Sequence, residues 1–190
     1  MMKLILSAFL AGITLTGICQ SGNKKAPSLG VNFFLNDYTT ASRIENSSIG
    51  SVLNNKNWAR INDMAPGLGL SYMQGLSDHF DVAANLAGSF TTFPNRSNSQ
   101  FFLAELNANI VGKLLSDRFF IVPYLSAGAG FASYKLSDFY AYIPFGSGLQ
   151  INIGGNTHLF LQGSYKVGIS KDASNLLTYS LGFSAPLKND

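Results

Sequence analysis

Apolar and polar residues alternate with a period of two along most of the chain. In the first clear example Leu29, Val31, Phe33 and Leu35 occupy odd positions, with Gly30, Asn32 and Asn36 between them. This period is typical of a β-strand whose two faces meet different surroundings. The same alternation occurs at 68–72, 80–90, 106–114, 125–131, 145–151, 159–167 and 177–183. The sequence therefore predicts eight strands and an all-β fold.

The connections between these segments are alternately short and long. Short turns are predicted near 75–79, 115–118 and 153–157, whereas polar loops occupy 37–63, 92–100, 135–140 and 170–175. Short turns at one end and long loops at the other are typical of outer-membrane barrels, whose short turns face the periplasm. The first loop is the longest and has no periodicity, so we expect it to be mobile and dispensable for folding.

The polar positions of the strands are too weakly charged to form a water-exposed exterior. Charged residues make up only 12% of the chain, and most polar strand positions hold Gly, Ser, Asn or Gln. Small uncharged residues suit the narrow interior of a closed barrel, so the apolar face should point outward into lipid. We therefore predict an eight-stranded antiparallel up-and-down transmembrane β-barrel. A soluble lipocalin-like binder, with its apolar face inward, is a less favoured alternative.

Four prolines fall inside or beside the predicted strands: Pro66, Pro123, Pro144 and Pro186. Proline has no backbone N–H to donate to a neighbouring strand, and a closed barrel offers no free edge. We therefore expect all four to lie near strand ends.

With this pattern established, the sequence resembles the outer-membrane β-barrel family that includes the transmembrane domain of outer membrane protein A. The resemblance is carried by LSYMQGLSDHFDV (70–82), PYLSAGAGF (123–131) and the closing run YSLGF (179–183). The closing run is similar to the signal read by the barrel assembly machinery, although the chain ends in Lys188, Asn189 and Asp190 and not in an aromatic residue. Larger family members carry a peptidoglycan-binding domain after the barrel, and we expect none here.

The first 19 residues have the features of a secretory signal peptide. Lys3 precedes an apolar run, and the small residues Gly17 and Cys19 fit a cleavage site before Gln20. This predicts two segments, a signal peptide at 1–19 and an outer-membrane barrel domain at 20–190. Lipidation of Cys19 is the alternative, disfavoured by bulky Ile18 before it.

The sequence contains no recognisable catalytic, cofactor-binding or metal-binding motif. His79 falls in the first short turn and His158 opens the seventh strand, and neither has an acidic cluster nearby, so we expect each to be a solvated or a rim histidine. We therefore predict a protein that is not an enzyme and has no cofactor. Lipid-modifying barrel enzymes resemble the chain in size and are a minor alternative.

Four charges lie well inside strands, where an isolated charge is costly to bury. Glu105 and Lys166 should lie at similar heights on opposite walls, and Asp81 and Lys113 lie on adjacent strands near the short-turn end. We predict that these lumenal charges form pairs of opposite sign; Glu105 with Lys166 and Asp81 with Lys113 are the candidate pairs, but the sequence leaves the exact partners open. Solvation of each charge by trapped water is the alternative.

The first loop exposes Trp58 among the cationic residues Lys56 and Arg60. These residues predict either a contact site for another cell, a phage or a lipopolysaccharide phosphate, or a cap packed over the barrel mouth.

We expect a monomeric, non-enzymatic outer-membrane barrel with a structural and surface-interaction role. Its expected partners are outer-membrane lipid, lipopolysaccharide and the barrel assembly machinery, whereas a net charge of only +3 argues against nucleic acid. A small passive pore is the alternative function.

Overall fold

The chain folds as one closed antiparallel barrel in which each strand pairs with its neighbours in sequence and β1 pairs with β8. The computed structural model describes residues 24–91, 101–134, 138–154, 157–170 and 174–187. The strands are β1 Ser28–Asp37, β2 Ala65–Gly75, β3 Phe80–Thr91, β4 Phe101–Lys113, β5 Ile121–Tyr134, β6 Asp138–Gly154, β7 Thr157–Gly168 and β8 Leu176–Pro186. The predicted eight-stranded up-and-down barrel is confirmed. The signal peptide at 1–19, the loop at 92–100 and the last three residues lie outside the described residues.

The barrel exterior is apolar and the interior is mostly polar. On three adjacent strands the outward residues Leu86, Leu106 and Phe131 lie side by side, and each exposes more than half of its surface. The inward positions between them carry residues such as Asn85, Asn107 and Glu105. An alternating strand surrounded by lipid requires this arrangement, which is the reverse of a soluble lipocalin.

Inward-facing glycines leave room in the lumen for large side chains of neighbouring strands. Gly130 faces Tyr142 across the β5–β6 pair, and a Cβ added at Gly130 would lie 2.5 Å from the Tyr142 ring. Such close approach brings the aromatic ring and the strand backbone into contact inside the lumen.

Three of the four prolines lie at or near strand ends, as expected, but Pro144 does not. Pro144 lies well inside β6, and the expectation is wrong for this residue. The β5–β6 pairing has the same register on both sides of Pro144 but is interrupted between the pairs Ala127–Phe145 and Gly130–Tyr142. The barrel therefore accepts the missing N–H by losing local pairing. Pro144 and the aromatic residues before it also hid the alternation, so β6 begins earlier than the sequence pattern indicated.

The first loop contains two helices that close one mouth of the barrel. Helix α1 spans Tyr38–Asn46 and helix α2 spans Ile49–Asn54, followed by a 3₁₀ turn at Ile61–Asp63. Asp37 caps α1 by accepting a hydrogen bond from Thr40 N at 2.7 Å, and Ser48 caps α2 in the same way. Helix α1 packs against β8, and Ala41 O accepts a hydrogen bond from the Tyr165 hydroxyl at 3.5 Å, whereas α2, with its buried Val52, packs against α1. The loop predicted at 37–63 therefore contains regular structure, and its mobility and its dispensability for folding stay predictions.

No helix within the described residues has the length and apolar character needed to cross a membrane.

Candidate functional site

Two layers of buried charge cross the lumen, and the upper layer lies nearer the helix-capped mouth. Lys166 Nζ on β7 lies 2.8 and 2.9 Å from the two carboxylate oxygens of Glu105 on β4. The Lys166 ammonium also lies 5.5 Å from the centre of the Tyr142 ring, an attractive cation–π distance. The structure therefore brings together the two residues that the sequence placed on opposite walls.

The lower layer lies at the opposite mouth, where β2 meets β3, β4 meets β5 and β6 meets β7; we call it the short-turn mouth. Here Asp81 receives Lys113 Nζ at 2.8 Å and Lys25 Nζ at 2.9 Å. Lys113 also contacts Asp117 at 2.6 Å, so two lysines and two aspartates alternate in one chain of ion pairs. The predicted partners Asp81 and Lys113 are in contact, but they belong to a larger cluster.

Lys25 and Asp117 are the members of this layer that sequence reasoning missed. Lys25 precedes β1 and reaches into the lumen, where it also donates to Gln150 Oε1 at 2.6 Å. Gly75 permits this path because a Cβ there would lie 2.6 Å from Lys25 N. Neither Lys25 nor Asp117 lies in an alternating segment, so no periodic signal marked it. The basic residue just before the first strand was the available clue.

The cluster shifts the ionisation of both outlying members. Burial lowers the pKa of the Lys25 ammonium below its usual value, although Asp81 and Asp117 act in the opposite direction. Burial alone would raise the pKa of the Asp117 carboxyl, but the hydrogen bond from Lys113 and the charge of Lys25 outweigh it and lower this pKa. The layer therefore keeps Asp117 ionised.

His158 is part of the polar lining at the short-turn mouth. It is buried, and its Nδ1 lies 2.7 Å from Asn152 Oδ1. Of the expected solvated or rim histidines, His79 is exposed, and His158 lies at the rim but is buried and not solvated. The difference follows from the inward direction of position 158 on β7. Among the described residues, no three His, Cys, Asp or Glu side chains form a group able to hold a metal ion.

A small cavity lined by both polar and apolar side chains separates the two charged layers. Its volume is about 100 Å³, and amide and hydroxyl groups from several strands line it, including Asn85, Asn109, Gln162 and Ser164. A volume of this size holds a few water molecules. An apolar cluster of Met73, Ala83, Val111, Tyr124 and Phe160 also fills part of the lumen.

The predicted contact residues of the first loop lie on a fixed segment. Trp58 is 40% exposed, and the chain beside it is anchored by Ala59 N donating to Thr40 Oγ1 at 2.9 Å. Arg43 Nη1 donates to Asn57 O at 2.9 Å from the other side. Lys56, with a left-handed φ of 53°, ends α2 and turns the chain toward Trp58. Arg60 is exposed two residues later, so the structure places all three predicted residues on one short surface segment.

Comparison with solved structures identifies several barrels of the same architecture. Neisserial surface protein A is 13% identical, matches 87% of this chain and 100% of its own, and superposes with a TM-score of 0.58. The N-terminal barrel domain of Pseudomonas aeruginosa OprF is 12% identical over 83% of this chain and 96% of its own, with a TM-score of 0.50. The attachment invasion locus protein Ail of Yersinia pestis is 17% identical over 85% and 96%, with a TM-score of 0.49.

No family model matches the chain, and no curated protein sequence matches it significantly. The closed eight-stranded topology and the match to Neisserial surface protein A show that the chain has the fold of eight-stranded outer-membrane barrels.

Proposed function

We propose that this chain, whose fold is that of the eight-stranded outer-membrane barrels, is a non-enzymatic outer-membrane protein with a sealed lumen and an interacting surface loop. In the outer membrane the short-turn mouth would face the periplasm and the helix-capped mouth would face the cell exterior. The observation that carries the proposal is the closure of the lumen at two levels. Charged side chains cross it in both layers, and α1 packs against β8 at its outer mouth with α2 against α1.

The buried ion pairs argue against transport through the lumen. Lys166 exposes 9% of its side chain and Glu105 exposes 2%, so neither charge faces an open aqueous path. A passing solute would have to separate this pair and leave both charges uncompensated, which is costly in a barrel wall surrounded by lipid. The cavity between the layers supports a second candidate, a small passive pore that conducts when the layers open.

Conductance and fractionation distinguish these functions. Purified protein in planar lipid bilayers should show no steady conductance above that of the empty bilayer, and cells should yield the protein only in a detergent-extracted membrane fraction. Steady ion conductance by the unmodified protein would favour the pore. Recovery from the periplasm without detergent would contradict the membrane assignment.

For the surface role we propose that Lys56, Trp58 and Arg60 contact lipopolysaccharide of the outer leaflet. An aromatic ring flanked by two cations suits a molecule with both phosphate groups and apolar chains. The neighbouring residue Ile61 is 71% exposed and lies just before β2, whose outward residue Leu68 belongs to the apolar exterior. The contact segment therefore adjoins the surface that faces lipid.

Trp58 is the chain's single tryptophan, so its fluorescence reports directly on this contact. Adding lipopolysaccharide to the detergent-solubilised protein should shift the Trp58 emission to shorter wavelength. Lys56→Gln or Arg60→Gln should lower the affinity for lipopolysaccharide, measured by this shift, about tenfold. Lys24→Gln, a change at the opposite mouth, is the matched control and should have no effect. An equal shift with a neutral glycolipid would show that the cations play no part.

A further inference from the structure

A second cavity lies at the short-turn mouth, below the lower charged layer. Its volume is about 470 Å³, which is in the range of small-molecule binding sites. The segment before β1 and the ends of three strand pairs contribute its lining: Lys24, Lys25, Asp78, Ser116, Asp117, Arg118, Asn152, Gly154, Thr157 and His158. Nothing in the proposed surface role uses this cavity, which is at the other end of the barrel.

The hydrogen bonds around His158 fix the direction in which its ring donates. Asn152 Nδ2 donates to the backbone oxygens of Asp117 at 2.8 Å and Phe119 at 2.6 Å, so Asn152 Oδ1 faces His158. An amide oxygen only accepts, and the 2.7 Å contact is far shorter than the 3.4 Å contact of Nδ1 with the Gln150 amide nitrogen, so we assign the proton to His158 Nδ1. In the neutral ring His158 Nε2 is then a hydrogen-bond acceptor. This buried atom has no partner among the described residues.

A second acceptor beside this cavity is also unsatisfied. Asp78 Oδ1 is buried and has no hydrogen-bond partner within the described residues. Both oxygens of Asp117, by contrast, are occupied by Lys113 and Gln150. Two acceptors without donors are costly to bury, and a ligand carrying an ammonium group would satisfy them.

Cationic groups supply the complementary half of the site. Lys25 is already paired with Asp81, but Lys24 and Arg118 line the cavity and form no ion pair with any described residue. Both are exposed to solvent at the mouth. Their charges suit a carboxylate or phosphate group on the same ligand, and arginine binds such groups with two hydrogen bonds.

We propose that the cavity at the short-turn mouth binds a small zwitterion, with its ammonium group toward Asp78 and His158 and its anionic group toward Arg118 and Lys24. An amino acid or peptide end has this chemistry, and so does the phosphoethanolamine headgroup of a phospholipid. The lower charged layer closes the inner end of the cavity, so the ligand would stay at the short-turn mouth.

Nuclear magnetic resonance of the imidazole nitrogens in detergent-solubilised protein tests this site. The chain has two histidines, so a His79→Gln variant assigns the signal of His158. Glycylglycine and glycerophosphoethanolamine are the two probes, and comparison of their affinities distinguishes a peptide source from a lipid source. N-acetylglycine lacks the ammonium group and ethanolamine lacks the anion, so each should bind about tenfold more weakly than its parent probe.

Asp78→Asn and Arg118→Gln should each weaken binding of the better probe about tenfold. Glu45→Gln, which removes one exposed charge at the opposite mouth, is the control and should change the affinity less than about twofold. If neither zwitterion shifts the His158 signal saturably, the proposal is overturned, whether the cavity holds only water or residues of the chain itself. Equal binding of N-acetylglycine and glycylglycine would overturn it in favour of a simple anion site.

Discussion

The pair formed by Lys166 and Glu105 allows a quantitative test of the upper charged layer. Lys166→Met removes the ammonium group that contacts both Glu105 oxygens, at 2.8 and 2.9 Å, and leaves a carboxylate that is 2% exposed. Removing one partner of a buried ion pair costs about 3 to 5 kcal/mol of unfolding free energy. Glu105→Gln should cost about 2 kcal/mol, because Lys166 keeps its contact with the Tyr142 ring and an amide oxygen still accepts a hydrogen bond.

The double variant separates a direct pair from two independent effects. Lys166→Met with Glu105→Gln leaves no uncompensated charge, so it should be more stable than Lys166→Met alone, with a coupling of at least about 2 kcal/mol. Urea unfolding in lipid vesicles, followed by far-ultraviolet circular dichroism, measures these differences for the barrel itself. Lys24→Met, at an exposed position, is the control and should be nearly neutral. Strictly additive losses would refute the direct pair.

Three further predictions concern the position of Lys25, the ionisation of Asp117 and the first residue of the mature chain. Lys25→Met should cost about 1 to 3 kcal/mol of stability, and Gly75→Ala should lower thermal stability in the same direction because the added Cβ displaces Lys25; melting of the purified variants measures both. The folded-state pKa of Asp117 lies below its usual 3.8, so its contribution is present above that pH and is lost as the pH falls through the folded value. Asp117→Asn should therefore flatten the acid side of the stability profile. Mass analysis of the protein from cells should give a mature chain beginning at Gln20, and a diacylated Cys19 would contradict this.

The strands were predictable because lipid imposes a simple rule on them. Every second residue must be apolar in a wall with lipid on one side, so Leu86, Leu106 and Phe131 were recognisable without a structure. Counting along the strands from the short turns also gave the right heights for Glu105 and Lys166. Where a strand begins inside a run of aromatic residues, as before Pro144, the rule loses its contrast and the boundary was missed.

The parts that were missed depend on contacts outside the strand pattern. Lys25 is buried only because the chain before β1 bends into the lumen, and local sequence does not encode that path. The first-loop helices are short and mostly polar, so their few buried residues, such as Ala41 and Val52, left no clear period. The burial of His158 was not predictable because its partner Asn152 lies on another strand.

The interrupted pairing at Pro144 leaves a local gap within the otherwise long β5–β6 strand pair. Strands β5 and β6 are not paired between Ala127–Phe145 and Gly130–Tyr142. On the β7 side of β6, Pro144 is paired with Lys166. Local openings with small free-energy cost occur where few backbone hydrogen bonds must break. Amide hydrogens next to this gap should therefore exchange with solvent fastest in the middle of the barrel. A local opening of the β5–β6 pair should therefore begin at this gap, directly beside the Lys166 ion pair.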